Sequence, residues 1–266
     1  MVRSKPASRK KAISKDRSRK EARVKKGTAI IVAICAAIVI IAIVAAVLLF
    51  SNPSRKLSVR DDKGDSITLA DVKVGDTIYL GVFGFQTYSL TTEDREKLMN
   101  REDFAWLVLD IQDGKALLIS KDIIARMPYN YEDGVASWED SSVREWLNGD
   151  FYDSLPEGVS QRIVKTSITN DGYPSGSNPG GKTTDKVFLL SVDEVNRYFT
   201  DNYKRIAVLN FREILRDKTD YTWWLRTTGS ISGRAVCVDI DGTVLGTGYS
   251  IDSFHGVRPA FWISIN

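Results

Sequence analysis

The sequence predicts an α+β domain with a mostly antiparallel sheet, joined at its N-terminal end to a single-span membrane anchor. Three observations predict this organisation. An apolar run of 23 residues contains no charge, Gly or Pro, and two later apolar runs are joined at an Asp-Gly turn. The remaining strands and helices follow one another without the βαβ alternation that builds a parallel sheet.

The apolar run, residues 28–50, indicates a transmembrane helix. At about 1.5 Å per residue, a helix of this length reaches about 35 Å, whereas the hydrocarbon layer is about 30 Å thick. A cleavable signal peptide is the alternative, but its apolar region is only about 7 to 15 residues long. We therefore expect an uncleaved signal anchor.

The basic tail, residues 1–27, indicates the orientation of this span. Its first 26 residues contain twelve Lys or Arg and two acidic residues, a net charge of +10, and the remaining 240 residues carry a net charge of −7. Basic residues remain on the cytoplasmic flank, where they contact anionic lipid headgroups. The tail contains no aromatic residue, so we expect membrane contact and no nucleic-acid binding. The sequence thus predicts a single-pass cell-membrane protein with its N-terminus in the cytoplasm and its C-terminal domain outside the cell.

The rest of the chain divides into a stalk and one extracellular domain. Residues 51–66 are polar and contain Pro and Gly, which is typical of a short stalk. Residues 67–266 form the predicted α+β domain. Cys35 lies in the span and Cys237 in the domain, so no disulfide within the domain is expected. A domain of this size buries enough apolar surface to fold without one.

The first half of the domain predicts strands with one helical insertion. Residues 90–103 are charged and predict a helix after a Thr cap. Residues 104–120 predict a central hairpin, because two apolar runs flank Asp113-Gly114, a dipeptide that accepts the positive φ values of a tight turn. Apolar residues occur at both odd and even positions of the first strand, which indicates that both faces of the strand are buried.

The middle of the domain predicts two capped helical segments. Residues 137–163 repeat apolar residues at helical spacing after a capping box of Ser142 and Glu145. Ser191 and Glu194 predict a second capping box. Trp106, Trp146 and Trp223 are the predicted buried tryptophans. Between the helices, the Gly-, Pro- and Asn-rich loop 169–185 is either functional or merely mobile, and whether it binds a metal stays open.

The last strands carry the candidate ligand-binding residues. Alternation places Trp224 and Arg226 on one face of a strand, and it places Arg258 and Trp262 on one face of a later strand. One interpretation is packing, with each guanidinium stacked on an indole or bonded to backbone carbonyls. The other is a platform for a sugar ring or an anionic group.

Four segments carry a resemblance to a known family: SWEDSSVREWLNGDFY, DKVFLLSVDEV, WWLR and GVRPAFWI. In this order they resemble an uncharacterised bacterial extracellular domain with W-x-x-S-x-x-R-x-W-L-N, D-x-V-F-L-L-S and WWLR to VRP motifs. The resemblance covers about residues 72–265. This domain is similar to the C-type-lectin-like and formylglycine-generating-enzyme superfamily, which implies a mixed α+β body with twisted sheets and long surface loops.

The chain departs from the active members of that superfamily. Formylglycine-generating enzymes use a pair of reactive cysteines, whereas this domain has only Cys237. Calcium-dependent lectins use a Glu/Gln-Pro-Asn/Asp loop and a Trp-Asn-Asp strand, and neither motif occurs in the sequence. The resemblance therefore implies neither activity.

The sequence lacks other recognisable catalytic patterns. His255 is the only histidine, which excludes a His-rich zinc site and leaves one candidate for a Ser-His-Asp triad. Its neighbours Asp252 and Ser253 lie in the same predicted turn. Glu139 and Asp140 are adjacent at a helix start and are interpreted as capping partners. The sequence identifies no catalytic residue and no metal ligand, and we expect no cofactor.

Two function classes follow. The sequence predicts a membrane-anchored extracellular binding module for glycan, cell-wall or protein ligands. The alternative is a hydrolase of surface polymers whose acidic site no motif reveals. A deep cleft with two convergent carboxylates would favour the hydrolase, and an aromatic surface would favour the binding module.

Overall fold

Two large sheets dominate the computed structural model, in agreement with the predicted α+β class and mostly antiparallel sheet. The described residues are 57–88, 97–131, 134, 137–170, 172, 180–209 and 222–266. The chain divides into two compact units, Met1–Arg55 and Lys56–Asn266, and all described residues belong to the second. The predicted span, residues 28–50, and the basic tail lie outside them. Within the described ranges, no helix has both the length and the apolar character to cross a membrane.

The larger sheet is antiparallel at every neighbouring pair. In spatial order its strands are β2 (Ser66–Ile67), β1 (Val59–Asp61), β3 (Thr77–Tyr79), β6 (Ala105–Gln112), β7 (Lys115–Ser120), β16 (Ala260–Ser264) and β9 (Ile163–Val164).

The second sheet is antiparallel except between β12 and β15, which are parallel. In spatial order its strands are β14 (Val244–Ser250), β13 (Arg234–Val238), β12 (Trp223–Thr228), β15 (Phe254–Val257) and β8 (Ala125–Pro128).

Two small strand pairs and several short helices complete the described fold. The pairs are β4 (Phe83–Tyr88) with β5 (Lys97–Glu102) and β10 (Thr166–Ile168) with β11 (Thr183–Asp185). The helices are a 3₁₀ turn (Leu69–Asp71), α1 (Ser142–Trp146), a π-helical turn (Leu147–Phe151), α2 (Tyr152–Ser154), α3 (Glu157–Ser160), α4 (Val192–Tyr198) and α5 (Asn202–Arg205).

The predicted hairpin is confirmed at the centre of the larger sheet. Strands β6 and β7 pair from Trp106 with Ser120 to Gln112 with Lys115. The turn residues Asp113 and Gly114 have φ values of 49° and 69°, the left-handed conformation that an Asp-Gly turn accepts. A second such turn joins β13 to β14, where Gly242 has φ 81°.

The core receives side chains from both large sheets and from the helices. Trp106 of β6 packs on Phe261 of β16 with ring centroids 4.8 Å apart. On the second sheet, Trp224 packs on Tyr129 at 5.6 Å in an edge-to-face arrangement, a geometry that aromatic quadrupoles favour. Trp106 and Trp223 are fully buried as predicted. Trp146 is only partly buried, so the prediction for this residue is wrong.

The predicted helix over residues 90–103 is wrong for residues 97–102. These residues form β5 and pair with β4 in register from Phe83 with Glu102 to Tyr88 with Lys97. Helix propensity is a weak preference, and pairing with a neighbouring strand overrides it. Residues 89–96 lie outside the described residues.

In the structure, the helix predicted within residues 137–163 begins one residue earlier than expected, and it is not continuous. The N-cap is Ser141, whose hydroxyl accepts the Arg144 N–H at 3.3 Å, because the Ser142 hydroxyl instead donates to Asn130 at 2.7 Å. Gly149 interrupts the helix with φ −110° and ψ −105°. In contrast, the capping box at the start of α4 is confirmed, with both reciprocal hydrogen bonds present.

The segment predicted as the final strand belongs to two sheets. Strand β15 ends at Val257 in the second sheet, and β16 begins at Ala260 in the larger sheet. Between them, Pro259 has no N–H to donate to a strand ladder. The predicted alternation therefore does not carry across Arg258, and Trp262 lies in a different sheet from Trp224.

Candidate functional site

The structure places Trp224 in the interior of the second sheet. Its side chain has no exposed surface, and its Nε1–H donates to the Met127 carbonyl at 2.9 Å. The indole contacts Tyr129 on one side and His255 on another, the latter with ring centroids 4.6 Å apart. These contacts agree with the packing interpretation of Trp224. They leave no face of the indole on which a sugar ring could stack.

Arg226 joins strand β12 to helix α4. Its guanidinium forms a two-pronged ion pair with Glu194, in which Nη2 lies 2.9 Å from Oε1 and Nη1 contacts Oε2. The same Nη1 donates to the Leu189 carbonyl at 2.8 Å. Glu194 also accepts the Ser191 N–H in the capping box. With 6 % of its surface exposed, Arg226 acts as a structural tie between a strand and a helix.

Arg258 and Trp262 lie apart from that pair. Arg258 is 2 % exposed; its Nε and Nη2 donate to the carbonyls of Ser120 and Lys121, both at 3.0 Å. Its guanidinium carbon lies 4.5 Å from the ring centroid of Trp223, a cation–π distance. Trp262 is partly buried in β16. The four predicted site residues are therefore not brought together on one accessible face.

The motif residues Trp138 and Arg144 converge on Asp185. The Trp138 indole donates to Asp185 Oδ2 at 2.8 Å, Arg144 Nε donates to Oδ1 at 2.8 Å, and the Thr183 hydroxyl donates to Oδ2 at 2.7 Å. Asp185 is 1 % exposed, so three donors satisfy a buried carboxylate. This cluster ties α1 to β11.

Asn148 makes a second tie between the same two motif segments. Its Oδ1 accepts the N–H groups of Lys186 and Val187 at 2.8 and 3.2 Å, and its Nδ2 donates to the Val187 carbonyl at 2.9 Å. The side chain thus replaces backbone partners at a helix end. The polar groups of Trp138, Arg144, Asn148 and Asp185 are all engaged in hydrogen bonds that hold the fold together.

The structure brings together a different set of residues in a groove of about 410 Å³. We call it the Arg258 groove. Its apolar lining comes from four separate segments of the chain and comprises Val74, Leu107, Val108, Leu109, Phe199 and Ile206. Two of these residues remain well exposed, Val74 at 61 % and Ile206 at 39 %.

The polar lining of the Arg258 groove is mainly cationic. It comprises Lys121, Asp122, Tyr198, Lys204 and Arg258. Three cationic side chains thus face one carboxylate, in a domain whose overall charge is negative. A concave surface of one sign concentrates ligands of the opposite sign.

Backbone hydrogen bonds fix the walls of the groove. The turn before β3 is bonded to β6 by Gly75 N–H to the Val108 carbonyl and by Val108 N–H to the Asp76 carbonyl, both at 2.9 Å. Gly75 has φ 94°, a conformation that favours glycine. Lys121 N–H donates to the Ala105 carbonyl at 2.8 Å. The lining backbone is therefore set by the larger sheet.

Burial shapes the charges at the centre of the groove. Desolvation raises the pKa of Asp122, and the opposing influences are the nearby charges of Arg258 and Lys121 and a hydrogen bond from the Val208 N–H. Burial lowers the pKa of Arg258 to about 10, and Asp122 opposes this shift. Arg258 therefore remains cationic at neutral pH, with Asp122 as its nearby anion.

The other polar groups of the groove already have partners. The Tyr198 hydroxyl donates to Asp110 at 3.1 Å, and burial together with Asp110 raises the pKa of Tyr198 to about 12. Lys204 Nζ donates to Thr200 at 3.1 Å and lies 3.7 Å from Asp201. Lys121 is exposed, and it has no ion-pair partner among the described residues.

His255 is held between aromatic rings, away from these residues. Its ring lies 4.5 Å from that of Tyr249, and its Nδ1 shares a hydrogen bond with the Thr222 hydroxyl. Burial, followed by the charge of Arg126, lowers the pKa of His255 to about 4. The imidazole is therefore neutral at pH 7. Neither Asp252 nor Ser253 is hydrogen-bonded to it.

The loop 169–185 is anchored at its two ends. Asn170 Nδ2 donates to the Gly181 carbonyl at 2.6 Å, and the Gly181 N–H donates to Glu139 at 2.9 Å. Asp140 instead accepts the Ser137 hydroxyl. Residues 171 and 173–179 lie outside the described residues. In the part of the chain that is described, no group of three or more His, Cys, Asp or Glu side chains is arranged to hold a metal ion.

Comparison with known families gives one match. The model of DUF6273, a domain of unknown function, matches residues 113–265. The chain belongs to the DUF6273 family. The DUF6273 region begins at the turn between β6 and β7 and includes the Asp185 cluster, Arg226 and Arg258. No curated protein and no solved structure matches the chain.

The sequence did not predict the Arg258 groove. Its lining residues lie in segments as distant as Val74 and Arg258, and each segment alone shows an ordinary pattern. Two local signals were available: Lys121-Asp122 places adjacent charges directly after β7, and apolar residues occur in the turn before β3 (Val74) and directly after α5 (Ile206). Only the tertiary structure brings these signals to one place.

Proposed function

We propose that the domain of residues 67–266, which contains the DUF6273 match, is a binding module tethered to the outer face of a bacterial cell membrane, with the Arg258 groove as its ligand site. The observation that carries the proposal is the composition of the groove. Apolar walls and a small number of charged groups in a concave volume of about 410 Å³ are typical of ligand sites, which occupy about 300 to 1,000 Å³.

The tether rests on the amino-acid sequence. Residues 28–50 are the proposed span, and the basic residues before them place the N-terminus in the cytoplasm. Protease added to intact cells should remove most of the protein and leave a short basic stub. A mature soluble form that begins near Ser51 would contradict the tether.

Binding is favoured over hydrolysis of surface polymers. A glycoside hydrolase needs two carboxyl groups about 5 to 9 Å apart across the substrate. In the described part of the chain, one carboxylate, Asp122, lines the Arg258 groove, and the neighbouring Asp110 is bonded to Tyr198. Glu139 and Asp140 bond to separate local partners in another part of the domain.

We also propose that the domain is related to C-type lectins and formylglycine-generating enzymes in fold alone. Two mostly antiparallel sheets combined with several short helices support this relationship. Cysteine chemistry is not part of the proposal, because Cys237 is fully buried and burial raises the pKa of its thiol well above the usual range. A reactive cysteine requires an accessible thiolate.

The test is a ligand screen with the full-length chain in detergent micelles. An array of glycans, cell-wall fragments and peptides would be probed with the wild-type chain and with Lys121→Ala. This change removes an ammonium group from the groove and keeps the backbone bonds of residue 121. Lys165→Ala, an exposed lysine outside the groove, is the matched control. Equal retention of every ligand by Lys121→Ala and the wild type would exclude the groove as the site.

A further inference from the structure

We propose that the Arg258 groove binds the free C-terminal carboxylate of a short peptide whose last side chains are apolar. This inference rests on the proposed function, because it names the ligand class of the same groove. Capture of a terminal carboxylate is an established mode of peptide recognition. Charge, shape and the placement of exposed apolar residues each support it.

The excess of cationic side chains in the groove favours an anionic ligand. Arg258 is 2 % exposed, and its three hydrogen bonds all go to uncharged backbone carbonyls, including a long one of 3.4 Å to Arg205. A guanidinium has five N–H donors, so two remain beyond these three bonds. A buried cation is stabilised by a paired anion, and among the described residues Asp122 is the only carboxylate that lines the groove.

Lys121 supplies the second cationic contact. Its side chain is exposed, and it lies beside Asp122 at the end of β7. Hydrogen bonds from a guanidinium or an ammonium to a carboxylate are about twice as strong as those between neutral groups. A carboxylate between Lys121 and Arg258 would therefore have two charged donors.

Asp122 limits the charge of the ligand. Its carboxylate lies close enough to Arg258 to affect the pKa of that residue, so an incoming anion meets one like charge. A singly charged carboxylate tolerates this better than a phosphate with its charge of about −1.5 to −2. The groove thus favours carboxylates over phosphate groups.

The apolar wall accounts for the rest of the ligand. Val74 and Ile206 are 61 % and 39 % exposed, whereas Leu107 is partly buried and Leu109 is 8 % exposed. Covering exposed apolar surface is favourable in proportion to the area removed from water. The volume of about 410 Å³ lies at the lower end of the range for small-molecule sites, which suits one or two terminal residues of a peptide.

The experiment measures fluorescence anisotropy with the full-length chain in detergent micelles. The probes are dye-labelled tripeptides Gly-Leu-Val with a free C-terminal carboxylate or with a C-terminal amide. We expect the amide to bind at least about tenfold more weakly, the effect of about 1.4 kcal/mol. Equal binding of the acid and the amide would overturn the inference.

Variants locate the contact. Lys121→Ala should weaken binding of the acid about fivefold or more. Val74→Thr keeps the shape of the side chain but replaces one methyl group with a hydroxyl, and it should weaken binding of both probes. Lys165→Ala and Val82→Thr are the matched controls, since Val82 is 55 % exposed and lies outside the groove. Unchanged binding by both groove variants would assign the peptide to another surface and overturn the inference.

The stereochemistry of the probe separates two sources of this chemistry. Tighter binding of the all-L tripeptide indicates a protein C-terminus, and tighter binding of its all-D form indicates a cell-wall peptide; either result supports the inference. If neither tripeptide binds while Lys121→Ala still loses a ligand of the array, the inference fails and the proposed function stands. If the wild-type chain binds neither tripeptide and retains no ligand of the array, the inference and the proposed function both fail.

Discussion

The indole N–H of Trp138 donates a 2.8 Å hydrogen bond to Asp185, which lies 47 residues further along the chain. The other oxygen of the same carboxylate pairs with Arg144. One buried charge thus holds two distant motif segments, and the cluster has three donors for two oxygens. Its role is to fix helix α1 against strand β11.

Asp185→Ala should therefore reduce the free energy of unfolding by about 3 to 5 kcal/mol, because it breaks the ion pair with Arg144 and leaves the buried Trp138 indole and Thr183 hydroxyl without their acceptor. Urea unfolding of the fragment 52–266 measures this change. Asp153→Ala, at an exposed position, should stay within about 0.5 kcal/mol of the wild type. A similarly small effect for Asp185→Ala would show that the cluster does not stabilise the fold.

Trp223→Ala and Trp224→Ala should both destabilise the domain by about 3 to 5 kcal/mol, the usual cost of deleting a large buried aromatic side chain. Both indoles are fully buried, and each donates a hydrogen bond to a backbone carbonyl. Thermal unfolding of the same fragment measures the effect. If Trp224→Ala unfolds at the wild-type temperature and loses ligand, Trp224 belongs to a binding surface and the packing interpretation is wrong.

Stability should fall as the pH drops from 6.5 to 4 because of His255. Its pKa is about 4 in the folded chain, against an ordinary value of 6.5, so between these values the unfolded chain binds more protons. The stabilisation is complete above pH 6.5, and its loss by pH 4 amounts to at most about 3 kcal/mol. Urea unfolding at pH 7 and pH 4 should show a smaller loss for His255→Gln. An identical loss in both proteins would assign the pH dependence to other groups.

Asp122 should produce the opposite slope. Its pKa in the folded chain lies above the ordinary 3.8, so the folded state binds more protons in the interval above 3.8. The contribution of Asp122 to the stability of the folded state is greatest below pH 3.8, and it declines as the pH rises through the raised pKa. The stability of the wild type relative to Asp122→Asn should therefore decrease between pH 3.5 and pH 7. An increase over this interval would mean that attraction to Arg258 outweighs burial.

Local chemistry was enough to predict several elements from the amino-acid sequence alone. Asp113-Gly114 predicted the β6–β7 hairpin, and Ser191 with Glu194 predicted the start of α4, because neighbouring residues determine turns and caps. The same local reasoning placed the N-cap of α1 one residue late, at Ser142 instead of Ser141. Two adjacent serines can both cap, and a distant partner, Asn130, decided between them.

Tertiary structure decided which surfaces are buried and where a ligand could bind. Alternation along β12 correctly predicts that Trp223 and Trp224 point to opposite faces, but it carries no information on whether both faces are covered. Coverage depends on segments far away in the sequence, and so does the convergence of Val74, Lys121 and Arg258 on one groove. The sequence by itself determined the basic tail, the apolar run and the local turns and caps, because these depend on neighbouring residues; the interior and the groove depend on contacts between distant ones.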